Sequence, residues 1–258
     1  MKNRFLTWFT GRRLTIILPL AVLSCTAPAA FDGASGEVEV REPSRALNQR
    51  GDAEFAEYKK NHPVSTDLAA RERVMRVATR LTPVISGPRW EFEVFADSSA
   101  NAFALPGGKV GINTGLLSVA KTDGQLAAAL AHEMAHVTSN HAQSRIQNQQ
   151  GIQLGSVLLG SVLGGEQGGD RYSQMAEQGG QLLFGLPFSR AQELAADQVG
   201  TIFMARAGYD PNEAVALWEN MAARGGGGGA EFLSTHPLSS TRIAQLKAFM
   251  PYAERQRR

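Results

Sequence analysis

The segment His132-Glu133-Met134-Ala135-His136 constrains this chain more than any other, because it puts three ionisable side chains into a run that is otherwise apolar from Leu126. Residues four apart on an α-helix lie about 40° apart, so the two imidazoles share one face, with Glu133 about 100° around from His132. Burying such groups without partners is costly. A metal ion gripped by both imidazoles supplies the compensation, and a zinc ion with an open position can acidify a water whose proton the adjacent carboxylate then takes. Thr122 and Gln125 form a capping-box pattern, which predicts a helix from there to about Asn140. Its apolar first three turns predict deep burial.

A catalytic zinc needs a third protein ligand. Glu193 and Asp197 form a second i, i+4 pair, and the intervening Leu194, Ala195 and Ala196 point to a buried rather than a solvated helix face. One carboxylate can bind metal while the other orients a ligand histidine. The spacing leaves open which does which. His141 lies nine residues beyond His132, about 180° around a continuous helix, and is expected to point away from the metal as a surface or supporting residue. His62, ahead of Pro63 in a charged loop, has no constellation around it and receives no role.

At 258 residues, 43% hydrophobic and 19% charged, the chain suits one folded domain, expected here over 51–258. The pattern predicts an α+β fold, mostly helical, with a small antiparallel sheet. Helical spacing covers 52–60 and 66–81, while Trp90 to Ala96 and Lys109 to Asn113 fit strands, the second after a Pro106-Gly107-Gly108 turn. Ser189 with Gln192 opens a helix to about Ala207, Asp210-Pro211 opens another, and a last one runs near Ser240 to Phe249. Ten glycines between Gly151 and Gly185 suggest a mobile helical hairpin or lid, and Gly225 to Gly229 a flexible joint.

The first 25 residues read as an export signal: a basic stretch ending in Arg12-Arg13, the apolar run Leu14 to Leu23, then Ser24 and Cys25. Val22-Leu23-Ser24-Cys25 resembles a bacterial lipobox, and Cys25 is the only cysteine, so lipidation of Cys25 is expected rather than a disulfide. Residues 26–50 fit a flexible tether. The resulting expectation is a protein anchored by lipid on the periplasmic side of a bacterial cell envelope, the outer membrane first. The net charge of +2 includes four basic residues at the start (Lys2, Arg4, Arg12, Arg13), so nothing supports a nucleic-acid partner.

Four ordered motifs resemble the HtpX-like gluzincin metallopeptidases of peptidase family M48. They are Asn101-Ala102-Phe103-Ala104-Leu105-Pro106-Gly107-Gly108, the His132 to His136 segment, Glu193-Leu194-Ala195-Ala196-Asp197, and Ser234-Thr235-His236-Pro237 with Arg242 following. The resemblance spans roughly residues 52 to 250 and includes an anchored periplasmic lipoprotein branch. It implies one Zn2+ per chain held by His132, His136 and Glu193, with Asp197 supporting His132. It also implies that Asn101, Ala102, Phe103 and Ala104 form an edge strand on which substrate pairs through its backbone. His236 or Arg242 would stabilise the oxyanion, or His236 would close the site as a fourth ligand. The implied activity is a zinc endopeptidase for unfolded or misassembled envelope proteins. The alternative is a non-proteolytic envelope chaperone on the same fold, which has no use for the Glu133 base.

Overall fold

The structure, a computed structural model, describes residues 38–148, 187–224 and 230–257. The expected export segment with Cys25, the hairpin or lid of 151–185 and the glycine joint of 225–229 lie outside the described residues. Helix α1 (Arg45–Asn61) opens on Ser44, whose side chain accepts from the Leu47 N–H. It therefore starts ahead of the expected 52–60. Leu47 is buried, and the Arg41 N–H donates to the Thr138 carbonyl at 2.7 Å, so residues 38–50 are held against the domain rather than forming the end of a free tether.

Helix α2 (Leu68–Leu81) begins at its cap Asp67 and buries Val74, Val77 and Leu81 on one stripe. From its other side Arg73 donates to the carbonyls of Leu117, Ala120 and Thr122 and to the Asp123 carboxylate. One guanidinium thus fastens α2 to the segment that opens the motif helix.

Three strands follow, β1 (Glu91–Phe95), β2 (Ala102–Leu105) and β3 (Lys109–Asn113), in the order β1-β3-β2. Gly107 and Gly108 adopt φ of 86° and 80°, conformations open to glycine, and reverse the chain so that β2 pairs antiparallel with β3. β1, however, pairs with β3 in parallel. The sheet is therefore mixed, not antiparallel as expected. The chain reverses once between β1 and β2 and again between β2 and β3, and two reversals restore the original direction. The α+β class holds, and β2 is left on a sheet edge.

A short helix α3 (Thr114–Val119) leads to the motif helix α4 (Asp123–Thr138). Thr122 accepts from the Gln125 N–H as the capping pattern predicts, but Gln125 reaches back to the Lys121 N–H. Every α4 residue from Gln125 to Thr138 is buried. α2 and the Arg190–Arg206 and Asn212–Ala223 helices surround α4, and the Ser240–Glu254 helix packs on the latter two. Leu126, Leu130 and Met134 are fully enclosed, and each such side chain contributes about 1.5–3 kcal/mol of hydrophobic stabilisation. Among the described residues no helix is long and apolar enough to cross a membrane.

Candidate metal centre

The deep burial of α4 carries His132, Glu133 and His136 into the interior, each no more than 3% exposed. The Arg190–Arg206 helix crosses beside them, begun by a complete capping box in which Ser189 and Gln192 bond reciprocally. Gly200 sets the separation of the two helices. A Cβ there would stand 3.0 Å from His132 N and 3.1 Å from Ala131 C, so a side chain at this position requires the α4 backbone to give by a few tenths of an ångström. Gly200→Ala is expected to push the helices apart, cost about 1–3 kcal/mol and weaken metal binding. Melting temperature and chelator competition would check this, and wild-type values in both would count against the close approach as a requirement.

The crossing delivers Glu193, fully buried, to both imidazoles. Glu193 Oε2 lies 3.5 Å from His132 Nε2 and Oε1 lies 3.4 Å from His136 Nε2. The two Nε2 atoms are 3.1 Å apart. His236 enters from the loop after the short Ala230–Thr235 helix, with Nδ1 3.0 Å from Glu193 Oε1 and 3.3 Å from His132 Nε2. Donor atoms from His132, His136, Glu193 and His236 all lie within 4.8 Å of one another. Phe232 stacks on the His236 ring, and the Phe188 N–H donates to the Thr235 carbonyl, fixing this loop to the start of the carboxylate helix.

The electrostatics suit a cation. Burial pulls the His132 imidazole down, yet Asp197 and Glu193 outweigh it and raise its pKa to about 9. Burial opposes the charge on Glu193, but His236, His132 and His136 hold its carboxyl far below the usual range. His136, by contrast, is driven by burial well below its ordinary value and is neutral, the form in which imidazole binds metal. Three buried imidazoles with one buried carboxylate form a nitrogen and oxygen donor set that zinc accepts. The residues fit the ion.

Asp197 sits one turn past Glu193, its Oδ1 3.0 Å from His132 Nδ1. The spacing alone left the roles of the two carboxylates open; here Glu193 faces the donor cluster and Asp197 lies behind His132. Arg242 is placed differently from the expectation of an oxyanion donor. Its Nε and Nη2 donate to the two oxygens of Asp197, its Nη1 pairs with Glu193 Oε2, and it lies over the Trp218 ring. The guanidinium is spent on two buried carboxylates behind the donors and does not line the cavity in front of them.

That cavity, about 280 Å³, is bounded by Asn101, Ala102, Phe103 and Ala104 on one side and by Glu133 and His236 on the other. Burial pushes the Glu133 carboxyl up, while the nearby His236 and His132 and a backbone bond from Ala104 pull it down less strongly. Its Oε1 is buried 3.4 Å from His236 Nε2. Tyr58, His62, Arg145 and Phe188 also line it, with Asp97, Ser234 and Thr235. Of these, Ser234 and Thr235 belong to a motif quoted from the sequence, whereas Tyr58, His62, Asp97, Arg145 and Phe188 were not legible as site residues. His62, left without a role, stacks on Tyr58 at 3.7 Å, a pairing at the end of α1 that helical spacing could have suggested. Arg145 lies over Phe188 at 4.3 Å, and burial lowers its pKa to about 10.

His141 is absent from the donor cluster, as expected, and of the two places foreseen for it, surface or supporting, it takes the supporting one by a route that helical spacing did not predict. The helix ends at Thr138, Asn140 turns with φ 52°, and His141 folds back until its Nδ1 is 2.9 Å from His136 Nδ1. It is a buried neighbour of His136, because the continuous helix assumed in placing it does not exist.

A helix bearing two histidine donors and a glutamate, crossed by a second helix that brings a carboxylate beneath a cavity, defines a centre of the metallopeptidase class. The chain belongs to Peptidase family M48, whose sequence profile matches residues 66–250. Mitochondrial metalloendopeptidase OMA1 of Schizosaccharomyces pombe is 38% identical over 187 residues, 70% of this chain and 53% of that protein. The protein of the same name from Saccharomyces cerevisiae is 36% identical, over 66% of this chain and 50% of its own length. The putative beta-barrel assembly-enhancing protease of Vibrio cholerae is 30% identical, over 75% and 42%. The chain spans about half the length of the curated relatives it matches. These likenesses correct the expected location: relatives named as mitochondrial stand beside a bacterial one, so a lipid-anchored place on the periplasmic side of a bacterial envelope does not follow. The likeness supports the family and not the narrower HtpX-like lipoprotein branch.

Proposed function

We propose that this chain is a zinc-dependent endopeptidase, with one zinc per chain held by His132, His136 and Glu193, that cleaves unfolded or misassembled protein segments. The observation that carries the reading is the buried Glu133 carboxylate, next in sequence to a metal ligand and facing the same cavity as the β2 edge. Bound zinc supplies Lewis acidity toward the attacking water and the scissile carbonyl. Glu133 takes the water's proton and passes it to the leaving amine, a task helped by a carboxyl whose pKa burial has raised. Residues 101–104 offer backbone groups to an extended substrate, which favours chains with exposed backbone over folded ones. His236, whose donor atom lies with those of His132, His136 and Glu193, would hold the ion as a fourth donor and so compete with water for it. A non-proteolytic chaperone leaves the Glu133 carboxylate without a use.

The test is metal content with digestion of an unfolded substrate. Purified protein is expected to hold one zinc, to cleave casein but spare a tightly folded protein, to stop on chelation and to recover with zinc. A metal-free preparation that digests casein at the same rate would overturn the reading.

A further inference from the structure

Each metal-binding histidine of α4 turns its Nε2 inward, which leaves its Nδ1 to a second partner. For His132 that partner is Asp197, at 3.0 Å. For His136 it is another imidazole, His141, whose Nδ1 lies 2.9 Å from His136 Nδ1. Two ring nitrogens at that distance bond only when one carries a proton and the other is bare. A neutral His136 that presents bare Nε2 to a metal must carry its proton on Nδ1, so His136 is the donor and His141 the acceptor.

The surroundings hold His141 in this role. On an unbroken helix, five residues would place it about 140° around from His136. The chain instead turns at Asn140, with φ 52°, a conformation that asparagine tolerates. The Gln192 amide N–H donates to the His141 carbonyl at 3.2 Å, while the same side chain accepts from the Ser189 N–H at 3.0 Å. Gln192 directly precedes Glu193. One buried side chain thus caps the helix that delivers the third ligand and fixes the backbone of the residue behind the second. Phe188 covers the His136 ring at 3.8 Å and limits its rotation on the open side.

We propose that His141 is the positioning residue of His136, accepting the His136 Nδ1–H on its own bare Nδ1 so that His136 Nε2 faces the metal. The assignment rests on the metal-centre reading above. Outer partners of this kind raise ligand basicity and fix the tautomer, and losing one lowers metal affinity about 10- to 100-fold.

Chelator competition with the full chain tests it. His141→Leu is expected to weaken zinc binding about 10- to 100-fold, and His141→Asn to restore it to within a few-fold, because the Asn Oδ1 can take the place of the imidazole Nδ1. Leu and Asn fill nearly the same volume, so a role in packing alone moves both variants equally or favours Leu. Wild-type affinity in both variants, or equal loss in both, overturns the proposal. Should the variants fold poorly, nitrogen-15 spectra of the zinc-loaded wild type decide it: His136 must be protonated on Nδ1 and His141 bare there, and the reverse overturns it. Wild-type protein that takes up no zinc would sink the metal-centre reading itself, a result distinct from either.

Discussion

Glu133→Gln is expected to reduce cleavage of an unfolded substrate by about 10²- to 10⁴-fold or more, with zinc content and melting temperature at wild-type values. The two side chains have nearly the same shape, so the packing of α4 survives. Glu133 is not one of the four clustered donor residues, so the metal should stay. What disappears is the proton acceptor. Glu133 Oε1 is buried beside His236 Nε2, and burial raises the carboxyl so that, once protonated by the water, it can return the proton to the amine. The amide can do neither. Rates measured on protein of matched zinc content would decide it, and substantial residual cleavage would remove Glu133 from this role.

Arg242→Met should give the largest stability effect. Arg242 is buried, bonds both oxygens of Asp197, pairs with Glu193 Oε2 and donates to the Pro237 carbonyl at 3.3 Å. Breaking a buried ion pair by removing one partner costs about 3–5 kcal/mol, because the remaining charge stays desolvated. Here two carboxylates lose the same cation. The melting temperature should fall by about 10 °C, scaling that cost for a domain of this size. Zinc affinity should fall with it, since Glu193 and Asp197 both lose their orientation. Arg242→Lys should recover only part of the loss, because a point charge cannot bridge two carboxylates as a planar fork does. A melting temperature within 2 °C of wild type, with unchanged zinc affinity, would reject the clamp.

What the sequence by itself determined is what local geometry encodes. The i, i+4 spacing put His132 and His136 on one face, Thr122 and Ser189 marked the starts of the two helices that build the centre, and the glycines after Pro106 marked the β2–β3 turn. Each depends on hydrogen bonds within a few residues, so a short stretch suffices to read it. The alternation of Trp90 to Ala96 likewise marked a strand but not its neighbour, since pairing with β3 across 18 positions is decided by chain reversals elsewhere. Glu193 and Asp197 were visible as a pair, yet spacing could not tell ligand from supporter, because they lie only about 40° apart on one face. The close crossing at Gly200 and the rotation of that helix against α4 put Glu193 among the clustered donor residues and Asp197 behind His132. Only the tertiary structure moved Arg242 behind the donors, 45 residues from its partner Asp197, and brought His62 and Arg145 to the cavity wall. It also decided between the surface and supporting places open to His141, where one left-handed residue, Asn140, ends the helix whose continuation had pointed that side chain away and turns it onto His136. Helical periodicity holds only while the backbone bonds repeat, and past the last turn the direction of a side chain is set by whatever the chain packs against.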